Sequence, residues 1–167
     1  TGGTARALAA GGVPVTSVAD VTAFPEMMDG RVKTLHPKIH GGILARRSKP
    51  EDLAAAREHG IGLIDLVVVN LYPFASAAAR AETSFDDLVE EIDIGGPSLV
   101  RAAAKNFRDV LVVVDPADYG RVLDQLERPG GPTPDFRFEM CRKAFAHTAQ
   151  YDGTIASTLA QVRVDEQ

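Results

Sequence analysis

The sequence contains few of the residues that build disulfides and metal–thiolate centres. Its single cysteine, Cys141, excludes an intrachain disulfide and any metal centre that needs several thiolates. No apolar run approaches the roughly 20 residues of a membrane-spanning helix, and no segment has the pattern of a signal peptide. We therefore expect a cytoplasmic protein that has no membrane partner.

Basic residues are also fewer than acidic residues. The 167 residues include 18 Lys and Arg against 23 Asp and Glu, which gives a net charge of -5. This balance argues against general binding to nucleic acid, so an anion site has to be a local group of cations. Hydrophobic residues make up 45% of the chain, which is enough for the core of one domain.

Two continuous apolar runs, at residues 64–71 and 110–115, predict strands that are covered on both faces. Helices are predicted at residues 50–59, from Thr83 or Ser84 to 92, at 97–106, 116–127 and 135–149, and at 151–161 with a possible break at Gly153. Strands that alternate with helices predict an α/β fold with a largely parallel sheet and helices on both faces.

The first 42 residues give weaker signals. Residues 4–10 predict a short helix, 13–15 and 17–21 predict extended pieces, and 24–42 predict a long irregular loop. The segment TGGT at residues 1–4 precedes the first helix. It is either a phosphate-binding loop, in which glycines let backbone N–H groups converge, or a plain turn with a cap.

The long loop carries cations and histidines. Arg31 and Lys33 stand at alternate positions before Thr34, which suits either an anionic ligand or an exposed basic loop. His36 and His40 are four residues apart, but no carboxylate or cysteine completes a ligand set. We therefore expect structural roles for both histidines and no metal.

Residues 92–106, IDIGGPSLVRAAAKN, combine an acid, a Gly-Gly turn and two cations. Pro97 suits the first position of a helix, where its missing N–H would have no partner. Arg101 and Lys105 are four residues apart on one face of that helix, where like charges repel. A bound anion, or the carboxylate of Asp93, would turn this repulsion into a site.

Five motifs in this order resemble a known family: TGGTA, DGRVKTLHPKIHGGILARR, DLVVVNLYPF, IDIGGPSLVRAAAKN and KAFAHTAQYD. They are similar to the IMP cyclohydrolase domain of the bifunctional purine biosynthesis protein, and the resemblance runs from Thr1 to about Leu159. It implies a methylglyoxal-synthase-like α/β domain over residues 1–161 and the start of a linker at 162–167. It also implies a C-terminal AICAR transformylase domain and an upstream strand–helix–strand, neither of which the printed sequence contains.

The resemblance implies ring closure of 5-formamidoimidazole-4-carboxamide ribotide (FAICAR) to inosine monophosphate (IMP), with loss of water. This is the last step of purine nucleotide synthesis. It needs no cofactor and no metal, and the family acts as a homodimer. Two alternatives share the fold: a methylglyoxal synthase and a non-catalytic nucleotide-binding regulatory domain.

The resemblance also assigns roles to single residues. It makes Lys105 the proton donor and acceptor, with Lys33, Tyr72 and Asp93 around the reacting groups and Asp93 orienting Lys105. For Arg101, a structural ion pair is favoured over a supporting role beside Lys105. The implied substrate-binding residues are Thr1, Gly2, Gly3, Thr4, Arg31, Thr34, Asn70, Leu71, Ile94, Gly95 and Gly96.

Overall fold

Two short parallel strands form the sheet in the computed structural model, which describes residues 2–80 and 82–162 apart from the side chain of Asp29. Strand β1 (Leu66–Val68) pairs with β2 (Leu111–Val113) in a register that places Val67 opposite Val112. The predicted parallel sheet is thereby confirmed, with shorter strands than the apolar runs indicated. Thr1 and most of the predicted linker, residues 163–167, lie outside the described residues.

Helices make up most of the described chain. They are α1 (Gly2–Ala10), α2 (Val18–Thr22), α3 (Pro37–Leu44), α4 (Pro50–Glu58), α5 (Phe74–Ala78), α6 (Phe85–Glu90), α7 (Gly95–Lys105), α8 (Tyr119–Leu126) and α9 (Pro134–Leu159). Short 3-10 turns occur at Met28–Gly30 and Pro116–Asp118. Helices α2, α3, α4, α6 and α9 begin at a side-chain cap or a proline; for example, the Ser84 hydroxyl accepts a hydrogen bond from the Asp87 N–H.

Helix α7 lies at the centre of the fold, where it packs against α3, α9 and both strands. Three consecutive small residues, Ala102, Ala103 and Ala104, are all buried and allow this close approach. The Cys141 thiol of α9 donates a hydrogen bond to the Ala104 carbonyl at 3.1 Å, and burial raises its pKa. Cys141 is therefore a packing residue, as its position in an amphipathic helix predicts.

The two strands are not covered equally. All three residues of β2 are buried, whereas in β1 only Val67 is buried. Leu66 and Val68 are 37% and 46% exposed. The prediction that both apolar runs are covered on both faces is therefore right for β2 and wrong for the outer face of β1.

Several predicted boundaries are also wrong, each for a local reason. Residues 17–21 are not extended, because the Ser17 hydroxyl accepts the Asp20 N–H and starts α2. The loop predicted at 24–42 ends early, because Pro37 starts α3 and His36 caps it through Nδ1. This gives His36 the structural role that was expected of it.

Later helices start and end differently from the prediction. Helix α7 begins at Gly95, not at Pro97. Helix α9 is capped by Thr133, not by Asp135, and it continues without a break through Gly153. The continuation has a tertiary cause, because Tyr151 and Ile155 pack against the buried Phe74.

An ion cluster joins α9 to the end of β2. The Lys143 ammonium lies 2.6 Å from both the Asp115 and the Asp118 carboxylates. Its hydrogen bond lowers the pKa of Asp115, and the same bonds to Asp115 and Asp118 raise the pKa of Lys143. The carboxylate contributes stability above its unfolded pKa of about 3.9 that is lost as pH falls, and the ammonium contributes stability that is lost above about pH 10.4.

We predict that Lys143→Met lowers the free energy of unfolding more at pH 7 than near pH 2, because the contribution of the Asp115 carboxylate is lost as pH falls through its lowered pKa. Urea unfolding at the two pH values measures this difference. Lys38→Met, which changes a lysine outside the cluster, is the matched control. Its free energy of unfolding should fall by a similar small amount at both pH values. An equal loss at both pH values in Lys143→Met would show that the charges of the cluster contribute nothing.

Candidate active site

Three segments of the chain meet at the start of α7. A Cβ on Gly95 would lie 2.8 Å from the Thr34 hydroxyl oxygen, and a Cβ on Gly96 would lie 2.9 Å from Leu71 Cδ2 and would overlap the Asp93 carboxylate. Both glycines are therefore required by close approach. The structure thus brings together five of the residues implied by the resemblance, and we call Thr34, Leu71, Asp93, Gly95 and Gly96 the Asp93 cluster.

Asp93 is held from two sides. The Gly96 N–H donates a hydrogen bond to its Oδ1 at 2.9 Å, and its own backbone N–H donates to the Tyr151 hydroxyl at 2.8 Å. The first bond caps α7, so Asp93 has the structural role that its position before a helix suggests. Its second carboxylate oxygen points at the Gly96 Cα, in the space where a side chain would stand.

Lys33 is positioned by an acid that the sequence reasoning missed. Its ammonium lies 2.8 Å from Glu26 Oε2, and its side chain is only 28% exposed. The chain between them turns tightly, with an antiparallel bridge from Met27 to Val32. Gly30 has a φ of +88°, and a Cβ there would meet Glu26 Oε1 at 2.7 Å. Glycine at this position therefore lets the Glu26 carboxylate pass and reach Lys33.

The other predicted residues near this end of the fold are accessible. Tyr72 is 50% exposed and Ile94 59% exposed, and Asn70 is exposed after the end of β1. Arg31 forms an ion pair with Glu90 at 3.5 Å on the surface. Arg31 and Lys33 therefore have separate acidic partners in the described structure.

The glycines at the start of the chain are helical. Gly2, Gly3 and Thr4 form the first turn of α1, so the described part of the predicted phosphate loop is a helix N-terminus. Among the described residues, α1 buries none of its side chains. Thr1, the remaining member of this group, lies outside the described residues.

Lys105 lies at the far end of α7 from Asp93. The helix has 11 residues, and a rise of 1.5 Å per residue separates its ends by about 15 Å. Asp93 therefore does not orient Lys105 within one chain, and that part of the prediction is wrong. The spacing of 12 residues in one helical segment was a sequence signal for this separation.

Lys105 instead lies beside a cavity of about 490 Å³ that Arg101, Phe107, Cys141 and Phe145 also line. The Arg101 guanidinium stands over the Phe145 ring, 5.6 Å from its centroid. This cation–π contact replaces the ion pair that was predicted for Arg101. Two cations are thus presented at an apolar surface between α7 and α9, away from the Asp93 cluster.

Within residues 2–80 and 82–162, no group of three or more His, Cys, Asp or Glu side chains could hold a metal ion. No helix in that part of the chain is both long and apolar enough to cross a membrane. A carboxylate, a half-buried ammonium and an exposed phenol lie on the Asp93 cluster and its flanking loops. These groups can position a polar planar ligand and exchange protons with it.

The fold is that of an α/β domain, and its candidate site lies beyond the end of a parallel strand, next to a helix start. A model of the MGS-like domain matches residues 1–98, and the chain belongs to this family. A second model, the AICARFT/IMPCHase bienzyme, matches residues 103–167. The resemblance and the methylglyoxal-synthase-like fold predicted from the five motifs are thereby confirmed.

Known relatives agree with this assignment. The chain is 58% identical over 166 residues to the bifunctional purine biosynthesis protein PurH of Neisseria meningitidis serogroup A. The match covers 99% of this chain and 31% of that relative, so the chain spans about a third of its length. The crystal structure of ForH matches with a TM-score of 0.79 and 39% identity, over 95% of this chain and 83% of the other.

Proposed function

We propose that this chain is an IMP cyclohydrolase domain, which closes FAICAR to IMP with release of water. The observation that carries the proposal is the 58% identity to a bifunctional purine biosynthesis protein over nearly the whole chain. The meeting of Thr34, Leu71 and Asp93 at the Gly95-Gly96 turn supports it, because residues from separate motifs converge there.

The reaction joins two groups of one substrate. The carboxamide nitrogen attacks the formyl carbon and loses one proton to the formyl oxygen. The formamido nitrogen then loses its proton as a C=N bond forms, the C–O bond breaks, and the oxygen leaves as water with both protons. Holding the two groups together can contribute roughly 7–11 kcal/mol in favourable cases. The protein therefore has to fix the substrate conformation and stabilise the charge on the formyl oxygen.

We assign Asp93 as the group that accepts the carboxamide proton, because its carboxylate is fixed at the turn by the Gly96 N–H. Lys33 would stabilise negative charge, with Glu26 holding its ammonium in place. The exposed Tyr72 would supply a hydroxyl. No cofactor takes part in this scheme.

Binding of the nucleotide is assigned to the residues around these groups. The first-turn N–H groups of α1 provide the positive end of a helix for the phosphate. The proposed binding residues are Thr1, Gly2, Gly3, Thr4, Arg31, Thr34, Asn70, Leu71, Ile94, Gly95 and Gly96.

The position of Lys105 favours a site that two copies of the chain share. About 15 Å of helix separates it from Asp93, yet its exposed ammonium lies at an apolar surface. We propose that the homodimer places Lys105 of one copy at the Asp93 cluster of the other, where it protonates the departing oxygen.

The domain arrangement follows from the same proposal. Residues 1–161 would form the cyclohydrolase domain, and 162–167 would begin a linker to an AICAR transformylase domain of the bifunctional protein.

The protein would act in the cytoplasm on a free nucleotide, with no nucleic acid or membrane as partner. The net charge of -5 is consistent with a small anionic ligand held by local cations.

A direct assay tests this function. We expect the full-length protein to convert FAICAR to IMP, followed by absorbance, with the same rate before and after treatment with a chelator. Tyr119→Phe, a change on the distant α8, should leave the rate unchanged. Absence of IMP formation, or production of methylglyoxal from dihydroxyacetone phosphate, would contradict the proposal. Loss of activity with the chelator would contradict a metal-free mechanism.

A further inference from the structure

Tyr151 on α9 connects two segments that carry proposed catalytic groups. Its hydroxyl accepts a hydrogen bond from the Asp93 N–H at 2.8 Å and donates one to the Glu91 carbonyl at 3.4 Å. These bonds join positions 58 and 60 residues apart in the sequence. The hydroxyl therefore fixes the short turn between α6 and α7 on which Asp93 lies.

The ring of Tyr151 contacts the second segment. It meets the Phe74 ring edge-on, with centroids 6.4 Å apart and an interplanar angle of 72°. Phe74 is almost completely buried, and its N–H donates a hydrogen bond to the Tyr72 carbonyl at 2.8 Å. Tyr151 thus holds the backbone of Asp93 through its hydroxyl, and its ring packs against Phe74, whose N–H bonds to the Tyr72 carbonyl.

The N-cap residue of α7, Ile94, has no side chain that caps the helix. The cap comes from Asp93, so the orientation of Asp93 depends on the support that Tyr151 gives. The Asp93 carboxylate receives the Gly96 N–H, and the Asp93 peptide is oriented by the Tyr151 hydroxyl. If the peptide turns, the carboxylate direction changes with it. Burial raises the pKa of Tyr151, so the phenol stays neutral and keeps both of its hydrogen bonds near neutral pH.

We infer that Tyr151 is a positioning residue for the cyclisation, acting through Asp93 without touching the substrate. This inference rests on the proposed function. It predicts an effect on the chemical step and little effect on nucleotide binding, because the binding residues are unchanged. A purely structural role for Tyr151 would lower stability but would not act through Asp93.

The test uses the full-length protein with Tyr151→Phe, which removes the hydroxyl and keeps the ring. We expect kcat to fall about 5- to 10-fold, with KM within about twofold of wild type. In an Asp93→Asn background the same change should have no further effect on kcat, because the group that Tyr151 positions is already lost. Tyr119→Phe is the matched control and should match wild type.

A second variant separates the ring from the hydroxyl. Phe74→Leu removes the edge contact and keeps the Tyr151 hydrogen bonds, so we expect a lower melting temperature with a smaller fall in kcat than in Tyr151→Phe. Unchanged kcat in Tyr151→Phe, or an equal fall in the wild-type and Asp93→Asn backgrounds, would overturn the inference alone. A wild-type protein that does not cyclise FAICAR would overturn the proposed function and the inference with it.

Discussion

Replacement of Lys105 by alanine is expected to lower kcat for FAICAR cyclisation by about 100- to 1000-fold, with little loss of stability. The expected size is that of removing one donor to a developing oxyanion. Stability should hold because the Lys105 side chain is exposed at the last residue of α7. Steady-state kinetics of the full-length protein at saturating FAICAR, together with a thermal melt, measure both quantities.

The position of Lys105 makes a sharper test possible. If Lys105 and Asp93 serve one site from two copies, Lys105→Ala and Asp93→Asn dimers should each be inactive. Mixed dimers should then contain one site with both groups intact. Random exchange makes half of the dimers mixed, so roughly a quarter of wild-type activity should return. Exchange between separately purified variants, followed over time, measures this recovery.

The control for that experiment pairs two changes in the same group of residues. Asp93→Asn mixed with Tyr72→Phe should not recover activity beyond the sum of the two, because both residues belong to one chain's cluster in the proposed site. Recovery in this control would show that exchange restores folding and not a complete site. No recovery with Lys105→Ala would remove the proposal that the two residues meet across a dimer.

Gly96→Ala is expected to damage both stability and activity. The new Cβ would overlap the Asp93 carboxylate and lie 2.9 Å from Leu71 Cδ2. Overpacking of this kind costs about 1–3 kcal/mol. Because the displaced groups are the proposed proton acceptor and a binding residue, we also expect kcat/KM to fall by about 100-fold or more. Urea unfolding and the cyclisation assay measure the two effects.

A second glycine on a helix provides the control. Gly120 lies in α8, and a Cβ there would have no neighbour within 4 Å. Gly120→Ala should therefore stabilise the protein by up to about 1 kcal/mol and leave cyclisation unchanged. Equal behaviour of Gly96→Ala and Gly120→Ala would show that the close approach of Asp93 to the start of α7 has no consequence.

Sequence patterns predicted the framework of the fold because the framework depends on local chemistry. The apolar runs around Val67 and Val112 form paired parallel strands, and the segment after Asp93 forms a helix. Predicted helix boundaries were wrong where a single side chain determines the boundary, as where the Ser17 hydroxyl caps the start of α2. The helix through Gly153 depends on contacts with α5, which no periodicity within α9 reveals.

The site was predicted only in part, for a related reason. Asp93, Gly95 and Gly96 are adjacent in sequence, so their cluster follows from one motif. Glu26 reaches Lys33 around a tight turn and Tyr151 reaches Asp93 across the fold, and no sequence pattern marks either as a partner of those residues. Each lies within or beside one of the conspicuous motifs, which is the only sequence signal that could have singled it out.

The ion cluster at the end of β2 limits where this domain can evolve new ligand contacts. Lys143 occupies the carboxylates of Asp115 and Asp118, directly after a strand end that α/β proteins often use for recognition. Substitutions there would remove a partner from a nearly buried acid, Asp118. We therefore expect substitutions that change ligand specificity to occur after β1 and before α7. At the end of β2 we expect fewer substitutions, because the charges of Lys143, Asp115 and Asp118 must remain balanced.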